Sequence, residues 1–124
     1  MTTTEYMMDT SAIINIITGK AAYDKYRGIH AVTCIFILQE LYFILLKKFG
    51  EQTAERFTDK YSLITADIDL MLVKKAMRFK FEHSSDRNFS YTDAVAYIAA
   101  LDNGLVFLTA DKAFKGLPNA EVVE

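Results

Sequence analysis

Four carboxylates stand where apolar segments of this chain stop: Asp9 in YMMDTSAII, Glu40 in ILQELYFILL, Asp93 in SYTDAVAYIAA and Asp111 in VFLTADKAF. Core-type residues flank each one. A carboxylate desolvated alone is costly, so buried acids are normally paired or meet a metal. A fold that accepts these four has to bring them to an edge that water or ions can reach. Spread from one end of the chain to the other, they point to one shared acidic site. Its natural occupant is a hard divalent cation with oxygen ligands.

The segments between the acids alternate in kind. Residues 5–8 read as a short buried strand ending at Asp9, and residues 11–17 as a helix stopped by Gly19. A short helix over 22–26 and a strand over 29–33 follow. Residues 34–49 make a long, nearly all-apolar helix closed by Lys47, Lys48 and Gly50, which are good C-terminal signals. Residues 51–60 read as a polar amphipathic helix, 61–65 as a third strand and 67–81 as a helix. In that last helix Ile68, Leu72, Val73, Ala76 and Phe79 share one face, and Lys74, Lys75 and Arg78 share another. After a polar loop over 83–89, a small-residue helix over 91–102 leads to a strand over 105–109, a turn over 111–114 and a possible fifth strand over 121–123. Alternating strands and helices predict an α/β fold, three layers deep, around a mostly parallel sheet of about 4–5 strands. Ligands of such sheets bind beyond the carboxyl ends of the strands, where Asp9 and Asp111 fall directly.

Composition narrows the class. With 124 residues, 52% hydrophobic and 24% charged, the chain can build a core and is expected to be one domain over 1–124. The net charge of −2 is unlike that of a protein that coats nucleic acid, so any such contact uses local basic clusters or a metal. Cys34 is the single cysteine and reads as a small buried hydrophobe; with His30 and His83 it gives no zinc spacing. The N-terminus has no features of a secretory leader. The longest apolar run, 35–46, is shorter than the roughly 20 residues a bilayer needs. The expected location is the cytoplasm.

Three of the acids have simpler explanations when taken singly. Asp9 suits the cap of the helix that follows, Ser90 and Asp93 fit a capping box, and Asp111 suits the cap of the next turn. Glu40 has none, since it lies in mid-helix among Leu38, Leu41, Phe43 and Ile44. One metal site accounts for all four, and capping is compatible with it, because a carboxylate has two oxygens.

DTSAII at 9–14, the embedded Glu40, YTDAVAYIAA at 91–100 and LTADKAF at 108–114 together resemble, in order and spacing, the four signatures of PIN domains. The likeness runs over essentially the whole chain and is strongest to stand-alone VapC-type toxins. It implies a metal-dependent ribonuclease using Mg²⁺ or Mn²⁺, with Asp9, Glu40, Asp93 and Asp111 as the acidic cluster and Ser11 and Thr109 supporting it through their hydroxyls. Asp9 and Asp93 are expected to bind metal directly; Glu40 and Asp111 are expected to bind it or its waters and orient the nucleophile. It also implies a homodimer and a small inhibitory antitoxin. The 35–46 helix, apolar nearly all round, agrees with a face turned to a partner chain.

RNA would need cations on its backbone. Arg87, Lys112 and Lys115 are the candidates nearest the acids, while Lys74, Lys75 and Arg78 read first as a solvated helix face. Tyr91 and Phe114 could stack on bases but read first as core. A haloacid-dehalogenase-like phosphatase is disfavoured because Ser11 stands where that chemistry needs a second Asp. No glycine-rich phosphate loop follows a strand, and no Ser-His-Asp set is evident. The rival readings are a non-catalytic PIN-like module that binds RNA or protein, and an RNA-processing nuclease that is not a toxin.

Overall fold

The structure, a computed structural model, describes residues 5–124; Met1–Thr4, part of the stretch read above as unlike a leader, lie outside the described residues. The strands are β1 (Tyr6–Met8), β2 (Ala31–Val32), β3 (Val106–Thr109) and β4 (Ala120–Val122). The helices are α1 (Thr10–Ile17), α2 (Ile35–Phe49), α3 (Glu51–Tyr61), α4 (Leu70–Glu82) and α5 (Tyr91–Asp102), with 3-10 turns over Ala21–Tyr26 and Lys112–Phe114. Among the described residues the sheet has four strands in the order β2-β1-β3-β4, all parallel. Helices cover both of its faces, giving the three layers expected. Among the described residues no helix is long and apolar enough to cross a membrane.

The core sits where β1 and β3 meet α5. Residues 94–100 of α5 are buried without interruption, which requires cover on every side. The sheet supplies one side, α4 and α2 the others. The small residues Ala94, Ala96, Ala99 and Ala100, all fully buried, let those neighbours come close. An aromatic cluster of Phe89, Tyr97, Phe107 and Phe114 fills the space beneath, with Phe89 and Phe114 ring centroids 4.5 Å apart. Cys34 is fully buried, as its reading requires.

Two expected elements are corrected. The 61–65 strand does not form: Tyr61 ends α3, and the segment touches the sheet only through a bridge between Thr33 and Thr65. The reason lies in its neighbour. β2 is two residues long, so Thr33 alone remains to be paired, through its N–H to Ile64 and its carbonyl to Ala66. Leu63 is 82% exposed, so an apolar run that looked like strand carries surface residues. The helix expected from residue 67 starts at Leu70, because the Asp69 carboxylate accepts the Leu72 N–H at 2.9 Å and caps it there. Gly50, at φ +93, serves as C-cap of α2 and N-cap of α3 at once. That backbone conformation is open to glycine and strained for other residues.

Candidate active site

β1 pairs with β3 so that Met8 lies beside Leu108, and the ladder continues one step further when the Asp9 N–H donates to the Leu108 carbonyl at 3.0 Å. This sets Asp9 against Thr109 at the carboxyl edge of the sheet. The Asp9 side chain is 2% exposed and makes no capping bond to α1, contrary to its simplest reading. Its Oδ2 accepts instead from the Thr109 hydroxyl at 2.6 Å and the Ser11 hydroxyl at 3.1 Å. Each hydroxyl oxygen in turn accepts a backbone N–H, Thr109 from Asp111 and Ser11 from Ala110, both at 3.0 Å. A hydroxyl has one proton to give, and both protons point at Asp9. Ser11 and Thr109 thus hold the carboxylate from two elements and tie it to the chain leaving β3.

Asp93 enters from the first turn of α5. The Ser90 hydroxyl oxygen accepts the Asp93 N–H at 3.0 Å, the cap expected there, and leaves the carboxylate free to turn outward. Asp111 caps the Lys112–Phe114 turn through Oδ1, which accepts from the Ala113 N–H at 2.9 Å. Glu40 is half-buried on α2. Asp9, Glu40, Asp93 and Asp111 all line one cleft of about 590 Å³, together with Ser11 and Ser90. A separate cavity of about 360 Å³, beside Arg27, His30 and Lys60, has no carboxylate in its wall and shares no lining residue with the acidic cleft.

Electrostatics bind the four into one set. Burial is the largest cause that pushes the Asp93 carboxyl up to about 7; the charge of Asp9 adds to it, the Ser90 hydroxyl opposes it, and Asp111 and Glu40 add further. Asp9 is also raised, chiefly by burial; the Thr109 and Ser11 hydrogen bonds pull it down and Glu40 pushes it up. Negative charge is crowded here, so a proton or a cation entering the cleft is stabilised. The donors are all oxygen, which suits Mg²⁺ or Mn²⁺. Among the described residues no group of three or more carboxylate, His or Cys side chains stands close enough to enclose an ion.

None of the four acids makes an ion pair among the described residues. Glu40→Gln is therefore expected to leave the melting temperature in EDTA unchanged or higher, since it relieves repulsion without stranding a partner. A clear drop in that melting temperature would show that Glu40 serves a structural ion pair.

The basic and aromatic candidates are distributed differently. Arg87 Nη1 donates to the carbonyls of Ala113 at 2.6 Å and Lys115 at 3.0 Å, so it clips the turn after Asp111 in place. Lys112 pairs with Glu124 at 3.7 Å, and neither it nor Lys115 lines the cleft. Lys75 pairs with Asp102 at 2.6 Å, while Lys74 and Arg78 lie on the open face of α4. Phe114 is core as read; Tyr91 is not, being 72% exposed at the start of α5 with Lys80 over its ring. The cleft also contains residues that sequence reasoning missed: Asn15, Lys20 and Lys48. The spacing Glu40, Ile44, Lys48, one helical face, was the available signal for the last.

No curated protein is significantly similar to this chain in sequence. Solved structures are. VapC20 of Mycobacterium tuberculosis, a sarcin-ricin loop cleaving toxin, shares 18% identity over 97% of this chain and 100% of its own, with a TM-score of 0.76. A chain of a toxin–antitoxin complex from Klebsiella pneumoniae shares 15% identity over 95% of this chain and 97% of its own, at 0.77. A chain of VapBC2 from Rickettsia felis, bound to a promoter DNA fragment, shares 15% over 96% and 98%, at 0.71. These likenesses establish a common fold. In sequence, the PIN domain family model matches residues 6–119. By that match, which takes in all four acids and both hydroxyls that hold Asp9, the chain belongs to the PIN domain family.

Proposed function

We propose that this PIN domain is a metal-dependent endoribonuclease and the toxin of a VapBC-type pair, acting in the cytoplasm. The observation that carries the reading is the cleft itself. Four acids from four separate segments line it at the carboxyl edge of the sheet, and burial, with the neighbouring charges adding, raises Asp93 to about 7. Perturbed carboxylates gathered in a cleft are characteristic of sites that handle ions or protons. The fold shared with VapC20, a toxin that cleaves the sarcin-ricin loop, and with chains of toxin–antitoxin complexes supports the same reading.

A divalent cation bound here supplies Lewis acidity toward phosphate oxygens. The chain supplies the rest. Asp9 and Asp93 would hold the ion, with Ser11 and Thr109 keeping the Asp9 carboxylate from rotating. Glu40 and Asp111, on the cleft's other walls, accept hydrogen bonds from water and orient it for in-line attack. An unpaired RNA strand enters such a cleft more easily than a rigid duplex.

Sequencing the ends of RNAs incubated with the purified protein and Mg²⁺ or Mn²⁺ tests the activity. New ends that need the metal and vanish in Asp93→Asn support it; intact RNA under every condition overturns it.

The partner is a small antitoxin that places an Arg or Lys among the four acids. A guanidinium pairs bidentately with a carboxylate and so excludes a metal ion. Exposed Ile35, Phe43, Leu46 and Phe49 on α2 provide an apolar face for a second copy of the chain. Light scattering should give a dimer at micromolar concentration. Changing the antitoxin's cleft-directed Arg and Lys to Ala should restore RNA cleavage; undiminished inhibition by that variant would dismiss cation capture.

A further inference from the structure

The acidic cleft has a second end. Lys20 and Lys48 line it as well, beyond a floor of Ile14, Asn15 and Ile44. Lys20 follows Gly19, whose φ of +81 turns the chain off the end of α1. Lys48 lies in the last turn of α2, on the face that carries Glu40 and Ile44. At 1.5 Å per residue it stands about 12 Å along the helix from Glu40. Neither lysine makes an ion pair among the described residues. The acids are thus not neutralised by them, and their charges are directed at whatever enters. The cleft's wall thus carries carboxylates at the start of α1 and, a helix length further along the chain, two lysines at the ends of α1 and α2 that make no ion pair among the described residues.

We infer that the groove between α1 and α2 is the track of the RNA strand, and that Lys20 and Lys48 hold backbone phosphates adjacent to the one at the acids. The inference rests on the ribonuclease reading above. A polyanion laid in this groove would have one phosphate beside the acids, where Asp9 and Asp93 would hold a cation, and its neighbours beside the two ammonium groups. The apolar floor and the Asn15 amide lie between, where a base or ribose passes. The other side of the cleft offers less: Arg87 is committed to carbonyls and Lys112 to Glu124.

The test measures binding apart from turnover. In the Asp93→Asn background, where cleavage is disabled, anisotropy of a short labelled single-stranded RNA of mixed sequence is followed across a salt series. Adding Lys20→Ala and Lys48→Ala should weaken binding and reduce the slope of log K against log salt by about 1.4, about 0.7 for each phosphate of a single strand that goes without its ammonium partner. Lys20→Arg with Lys48→Arg should restore the slope. Lys47→Ala, which removes one such charge a residue away from Lys48 and outside the groove, should leave it as it was. In the otherwise wild-type protein the double alanine variant should raise KM and leave kcat within a few-fold. An unchanged slope and KM, in a protein that cleaves RNA, overturns the track and leaves the ribonuclease reading standing. A fall in kcat alone would mean that the lysines act on the acids and would also overturn it. A wild-type protein that neither binds nor cleaves RNA removes the reading on which the track depends.

Discussion

Asp93→Asn and Asp9→Asn each reduce RNA cleavage by at least about 10²–10³-fold, the cost of deleting one preorganised electrostatic interaction from a transition state. The fold survives both changes for reasons visible in the hydrogen bonds. At Asp93 the cap is made by the Ser90 side chain and the Asp93 backbone, so the amide disturbs neither. At Asp9 both hydroxyls converge on one oxygen, Oδ2, and the amide of Asn can present its own oxygen at that point. What each variant loses is anionic charge, together with the means to hold a cation or accept a proton. Initial rates on a labelled RNA at saturating Mn²⁺ measure the loss, and circular dichroism checks the fold. Full activity in either variant would remove that residue from the chemistry.

Saturating Mn²⁺ raises the melting temperature by about 10 °C at pH 8. A ligand at one hundred times its dissociation constant stabilises a fold by about 2.7 kcal/mol, which in a domain of this size corresponds to that shift. The gain is smaller at pH 5.5. Asp93 has a pKa of about 7 when folded against 3.8 in the open chain, so the folded protein holds a proton that the unfolded chain releases. Its stabilising contribution is fully present below about pH 4 and is lost as pH rises through about 7. In EDTA this group should therefore lower the melting temperature between pH 5 and pH 8, and Asp93→Asn should flatten that slope. With Mn²⁺ the ion takes the place of the proton, so the metal-dependent gain grows over the same interval. A melting temperature that ignores both pH and Mn²⁺ would mean the cleft binds no cation.

The architecture was readable because the two central strands, β1 and β3, run straight into the acids that end them. Met8 gives way to Asp9 and Thr109 to Ala110 and Asp111, and the helices between carry periodic apolar faces. The errors share a cause. Leu63 and Ile64 are strand-like in isolation, but a strand needs a partner, and β2 leaves only Thr33 for them to meet. Asp67 and Asp69 are equally good caps on paper; the choice fell to whichever could reach the Leu72 amide. At the site, the acids and hydroxyls were legible because their motifs are local. Lys20 and Lys48 were not, because only the packing of α1 on α2 brings two helix ends into one wall. Arg87 misled for the opposite reason: a basic loop residue looks free until the carbonyls of Ala113 and Lys115 are found beside it.

The bond from Thr109 to Asp9 spans 100 residues of chain. On a ribosome adding about 5–20 residues per second, that separation amounts to about 5–20 s between making one partner and making the other. Through that time β1 is without its larger neighbour, and Asp9 has neither β3 to position it nor the Thr109 hydroxyl to hold it. A growing chain with Asp9, Glu40 and even Asp93 already formed is chemically unfinished. The order of the strands thus sets an interval in which the Asp9 carboxylate has been made but is not yet held, and a chain that stops before residue 109 never holds it.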